Sequence, residues 1–175
     1  MRKSRTREMV LAGLFIALGV MLPVAFHAVG AGGPVFLPMH IPVLMAGFVL
    51  SPAFALIVGM VTPLLSSVLT GMPILMPMAF IMMIELGIYG LVVSLLSKKM
   101  NSIFTLLTAM LAGRIAAGIM VMILVNAVGI KFAPPLVYLK AAVMTGVPGI
   151  IAQLVFIPAL LALVKRSNPR IMANH

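Results

Sequence analysis

Long apolar stretches separated by short polar breaks set the pattern of this chain, with runs near residues 8–27, 38–51, 53–70, 75–97, 102–128 and 136–164. A straight membrane crossing needs about 20 apolar residues, so the pattern predicts an all-α bundle of about six transmembrane helices. The second and third runs fall below that length and contain Pro42, Gly47, Gly59 and Pro63. Such segments are expected to be tilted, broken or shielded by neighbouring helices, because lipid offers no partner for freed backbone groups. The first run, preceded by Arg2, Lys3, Arg5 and Arg7, has the outline of a secretory leader. Its following stretch, Ala25 to Gly33, gives only a loose cleavage pattern, and with several spans behind it a retained first helix is expected.

Composition names the solvent. The hydrophobic fraction is 63%, the mean hydropathy is +1.29, and only 8% of residues are charged. A soluble domain carries roughly a quarter, so lipid must surround this one. Residues 1–175 therefore read as one transmembrane domain with a basic amino terminus at 1–7 and a short tail at 165–175, leaving no room for a soluble catalytic domain. The formal charge of +10 raises the possibility of nucleic acid, but the bases are not interleaved with aromatics on a polar face. Orientation accounts for them better. With six spans, nine of the twelve bases (Arg2, Lys3, Arg5, Arg7, Lys98, Lys99, Lys165, Arg166 and Arg170) fall on one side, which the positive-inside rule makes cytoplasmic. Both termini and the 97–101 turn are then inside, and the loops 28–37, 71–74 and 129–135 are outside with Lys131 the one base among them. There is no cysteine, and the 17 methionines serve as flexible apolar filler.

Against this background the ionisable residues inside the spans stand out. Glu85 and Arg114 fall near mid-depth in the fourth and fifth runs, and Lys140 about one turn from the outer end of the sixth. Intramembrane charge is expensive and marks a functional site by default. Glu85 and Arg114 are placed to meet, either as a structural ion pair or as ligand contacts in a cavity, while Lys140 can instead snorkel to the interface. Polar neutral residues gather in the same outer half: His40, Thr62, Ser66, Ser67, Thr70, Asn126, Tyr138, Thr145 and Gln153. The hydroxyls of the third run can bond to the preceding helical turn; Asn126 and Gln153 have no such local solution. His27 and His40 are not clustered with metal-ligand spacing, so neither a metal nor a cofactor is expected.

The loop Ala28-Val29-Gly30-Ala31-Gly32-Gly33-Pro34 and the segment Thr70-Gly71-Met72-Pro73 lie on the outer side, as hinged covers or as plain turns. Gly13 and Ala17, with Ala12 and Gly19 nearby, form a small-residue face that permits close helix approach in lipid; Ala109, Ala112, Gly113, Ala116 and Ala117 form a second, read as internal packing. Phosphate-binding loops, zinc-protease helices and nucleophile elbows have no match in the sequence, so no enzymatic activity is expected.

Three blocks carry a resemblance. Met39-His40-Ile41-Pro42-Val43-Leu44-Met45-Ala46-Gly47-Phe48, then Thr62-Pro63-Leu64-Leu65-Ser66-Ser67-Val68-Leu69-Thr70-Gly71-Met72-Pro73, then Glu85-Leu86-Gly87-Ile88-Tyr89-Gly90 resemble the substrate-binding S components of energy-coupling factor vitamin transporters. The likeness covers nearly the whole chain. It implies a multi-pass protein of a prokaryotic cell membrane that captures a vitamin or related micronutrient from outside and does not pump alone. A transmembrane coupling subunit and two cytoplasmic ATPase subunits would join it, and ATP hydrolysis would be theirs. The family docks through an Ala-x-x-x-Ala pair on the first helix, here Gly13-x-x-x-Ala17. Its ligands lie in the outer half among the last three helices, where this chain offers Glu85, Tyr89, Arg114, Asn126, Lys140 and Gln153, with His40 close by. Two cations against one acid favour an anionic ligand, pantothenate first, then a folate, with a cobalamin or a pyrimidine also open. A self-sufficient carrier or channel and a non-transporting structural subunit are the competing readings.

Overall fold

The structure, a computed structural model, describes residues 5–28, 30 and 33–167. Arg2, Lys3, Val29, Ala31, Gly32 and the tail from residue 168, Arg170 included, lie outside the described residues. The elements in order are α1 (Arg5–Ala28), α2 (Gly33–Phe36), α3 (His40–Val49), α4 (Pro52–Thr70), a π-helical turn (Leu75–Ala79) running into α5 (Phe80–Leu96), α6 (Ser102–Asn126) and α7 (Pro135–Ser167). Among the described residues, five segments are long and apolar enough to cross a bilayer, and α3 is a shorter apolar helix. The bundle is the expected all-α one, but the two runs taken as short behave differently. The third is an unbroken 19-residue helix that passes through Pro63. The second yields only ten helical residues, about 15 Å of rise.

The ends of that short helix are tied at two different depths of the bundle. Glu8, in the first turns of α1, accepts hydrogen bonds from the Ser51 backbone N–H at 2.9 Å and from Ser51 Oγ at 3.0 Å. Ser94 Oγ, near the end of α5, donates to the Leu50 carbonyl at 2.7 Å. The end of α3 thus sits level with the start of α1 and the end of α5, beside the exposed Lys98 and Lys99. The start of α3, by contrast, lies at the depth of Glu85, midway along the bundle. The chain that leads into α3 therefore enters the bundle and packs against α7. Gly149 of α7 receives that chain: a Cβ there would stand 2.7 Å from the Val35 carbonyl oxygen.

Of two core clusters, the smaller, with Ile81, Ala117, Val121 and Leu124, packs beside Met78 and Tyr138, and the larger extends toward the end of the bundle where α1 starts. Ala12 of α1, Leu44 and Leu50 of α3, Val58 of α4, Val93 of α5, Leu106 of α6 and Ile157 of α7 all belong to one buried cluster. Close approach of α4 and α5 depends on glycine: a Cβ on Gly59 would collide with the Leu86 carbonyl, and one on Gly90 with the Ala55 carbonyl. Facing lipid, α6 presents Leu111, Ile115, Ile119 and Met122, all exposed and three or four residues apart.

Candidate functional site

The half of the bundle that holds the start of α3 is built around one acid. Glu85 lies on α5, and four residues on, Tyr89 falls on the same face, where its hydroxyl donates to Glu85 Oε1 at 2.8 Å. Behind Tyr89 stands Gly113 of α6; any Cβ there would run into the tyrosine ring, so only glycine lets α6 come this close. The next residue, Arg114, brings Nη1 to 3.1 Å from Glu85 Oε1. His40, the first residue of α3, sets Nε2 at 3.8 Å from the same oxygen, and its ring stands edge-on to Tyr89 with centroids 5.7 Å apart. The histidine nitrogen is too far for a hydrogen bond.

All three polar groups are withdrawn from solvent: Glu85 is 2% exposed, His40 3% and the Arg114 side chain 12%. Burying a charge pair is costly unless its remaining donors and acceptors find partners. Here several do not. Neither ring nitrogen of His40 has a hydrogen bond, and neither does Arg114 Nε.

A cavity of about 450 Å³ opens onto these groups. His40, Glu85 and Arg114 form its polar end. Met78 and Met82 line it from the π-turn and α5, Pro23 and His27 from α1, and Tyr138, Ala141, Ala142 and Thr145 from α7. Two loop segments, Leu37–Met39 and Met72–Ile74, complete the lining. Gly71, with φ +74°, ends α4 in a left-handed conformation and turns the chain toward that second segment. Ser66 Oγ then donates to the Met72 carbonyl at 2.7 Å and fixes the loop. Thr62 Oγ1 donates to the Val58 carbonyl and Thr70 Oγ1 to the Ser66 carbonyl, each one turn back within α4.

Three of the residues singled out in the sequence thus meet at the cavity: Glu85, Arg114 and His40. Tyr89 supports Glu85 from behind and does not line the cavity. Asn126 is exposed and donates to its own helix, to the Met122 carbonyl at 3.0 Å. Lys140 is exposed and outside the lining. Gln153 is 1% exposed, over two turns beyond Thr145 along α7, and its Nε2 has no partner. Tyr138, Thr145 and His27, which the sequence does not mark as ligand contacts, also line the cavity. The signal for the α7 pair was a spacing: 138, 141, 142 and 145 fall on one face of a helix, whereas Lys140 points away from it.

A family model described as ECF transporter, substrate-specific component, matches residues 7–162, nearly the whole chain. The chain belongs to this family. No curated protein and no solved structure matches it. As an ECF substrate-specific component it is a membrane subunit that binds a substrate for a transporter and is not itself an enzyme. The buried polar end and apolar walls of the cavity fit that role, since ligand sites are mostly apolar with a few placed polar groups.

Proposed function

We propose that this chain is the high-affinity capture subunit of an ECF-type importer for a vitamin or related micronutrient, working in a prokaryotic cell membrane. The observation that carries the reading is a cavity with mostly apolar walls that ends on the buried cluster of His40, Glu85 and Arg114, in a different part of the bundle from its larger core cluster. A buried polar cluster at the end of an apolar-walled cavity suits capture better than conduction through a pore. Release to the inside then requires a partner that moves or opens the subunit, which is the part we assign to a transmembrane coupling subunit with two cytoplasmic ATPases. Gly13 and Ala17 support a docking face on α1. Both are exposed, and a Cβ on Gly13 would meet nothing within 4 Å. The cavity volume lies in the lower part of the roughly 300–1,000 Å³ range of small-molecule pockets, which speaks for a compound of one or a few rings over a corrinoid.

The experiment is mass spectrometry of small molecules released from the protein purified from its own cells and then denatured, followed by uptake of the compound found. Uptake is expected only in cells or liposomes that also hold the coupling and ATPase subunits. Flux in liposomes carrying this chain alone would establish a self-sufficient carrier or channel instead.

A further inference from the structure

The charges at the cavity bear on the class of compound it takes, an inference that rests on the capture reading above. In the sequence, Arg114 and Lys140 outnumber the single acid beside them. In the fold, Lys140 stands exposed outside the cavity and Arg114 is matched by Glu85 at 3.1 Å. The polar end therefore presents one guanidinium and one carboxylate side by side, with no surplus of formal charge between them. An organic anion would reach Arg114 only next to the Glu85 carboxylate, and like-charge juxtaposition is a strong penalty in a desolvated site.

What the cavity does offer is hydrogen bonding in both senses. Arg114 lines the cavity, and its guanidinium carries further N–H donors beside the Nη1 that meets Glu85. The contacts of Glu85 with Tyr89, Arg114 and His40 all converge on Oε1, and a carboxylate has about four acceptor positions on its two oxygens. A ring amide, an N–H beside a C=O, matches such a pair of groups: its N–H donates to the carboxylate and its carbonyl accepts from the guanidinium. The rest of the ligand would lie against Met78 and Met82, whose thioethers pack favourably on aromatic rings. We infer that the cavity takes an uncharged planar heterocycle carrying a lactam edge, read by Glu85 and Arg114.

The full chain in detergent is titrated with probes that differ by one carboxylate, uracil with orotate and lumazine with 6-carboxylumazine, and with pantothenate as a chain-like carboxylate, by calorimetry and thermal stabilisation. In at least one pair the uncharged compound is expected to bind about tenfold or more tightly than its carboxylated partner, with pantothenate weaker still. Glu85→Gln leaves the guanidinium unmatched, so the preference should narrow or reverse in that variant; the wild-type series decides by itself if the variant does not fold. A carboxylate that binds as tightly as its uncharged partner, or pantothenate as the tightest probe, overturns the lactam class and leaves the capture reading standing. Binding by no probe also overturns the class. The capture reading falls with it only if the denatured wild-type protein releases no small molecule.

Discussion

Arg114 owes its position to the residue before it. Because Gly113 has no Cβ, the Tyr89 ring can fill the space between α5 and α6, and the next side chain reaches Glu85. Breaking one partner of a buried pair strands the other charge, a loss of about 3–5 kcal/mol in comparable cases. Arg114→Gln and Glu85→Gln are each expected to lower thermal stability in detergent by an amount at the lower end of that range, since Arg114 keeps some exposure. The double variant should recover most of the loss, because neither charge is then left alone. Affinity for the compound released from the wild-type protein should nonetheless stay low, as glutamine lacks the guanidinium fork. Wild-type affinity in the folded double variant would reduce the pair to a structural role. At this scale the sequence was informative for the charges and weak for the neutral residues. A charge in lipid is conspicuous wherever it points, whereas the roles of Asn126, Gln153, Tyr138 and Thr145 depend on the rotation of their helices.

At the scale of elements, the second acid shows how α1 is held. Ser51 precedes α4 and its own side chain makes no cap; the Glu8 carboxylate takes both its N–H and its hydroxyl. A negative group there also complements the positive end of the α4 dipole. Glu8→Ala is expected to cost about 1.5–3 kcal/mol, the range for hydrogen bonds to a charged group, read as a lower unfolding temperature with the outer cavity intact. The opposite face of α1 bears the docking proposal. Gly13→Leu with Ala17→Leu should leave ligand binding near wild type and reduce uptake in cells that hold the coupling subunits, because bulk there meets no neighbour within this chain. Normal uptake by that variant would move the docking surface elsewhere. The small-residue set on α6 behaves as internal packing, with Ala109, Gly113 and Ala117 buried.

For the whole molecule, the decisive matter is parity. Five long helices alone would put the termini on opposite sides; the expected six-pass arrangement needs α3 and the loop before it to count as the sixth pass, which would return them to one side. The absence of cysteine in the chain makes single-cysteine labelling clean. Lys131→Cys should react with an impermeant reagent from outside in intact cells, and Lys99→Cys only after the membrane is opened; both residues are exposed. Labelling of both from the same side would refute the six-pass arrangement. With this orientation the packed cluster lies toward the cytoplasm and the cavity toward the outside, the arrangement that capture from outside requires.

By itself the sequence determined the solvent and the all-helical class, and it carries the expectation of six passes with both termini inside. These follow from hydropathy and from the placement of Lys and Arg, quantities that add along the chain without reference to contacts. It also marked Glu85, Arg114 and His40, and the three blocks that resemble ECF S components. Only the tertiary structure decided that the outer loop enters the bundle against Gly149, that Glu8 ties α1 to the start of α4, and that Lys140 is absent from the cavity while Tyr138 and Thr145 line it. Each of these depends on how one helix is turned and how closely another approaches. A bundle whose outer faces meet lipid is apolar all round, so the polar–apolar contrast that reports helix rotation in a soluble protein is missing from this sequence.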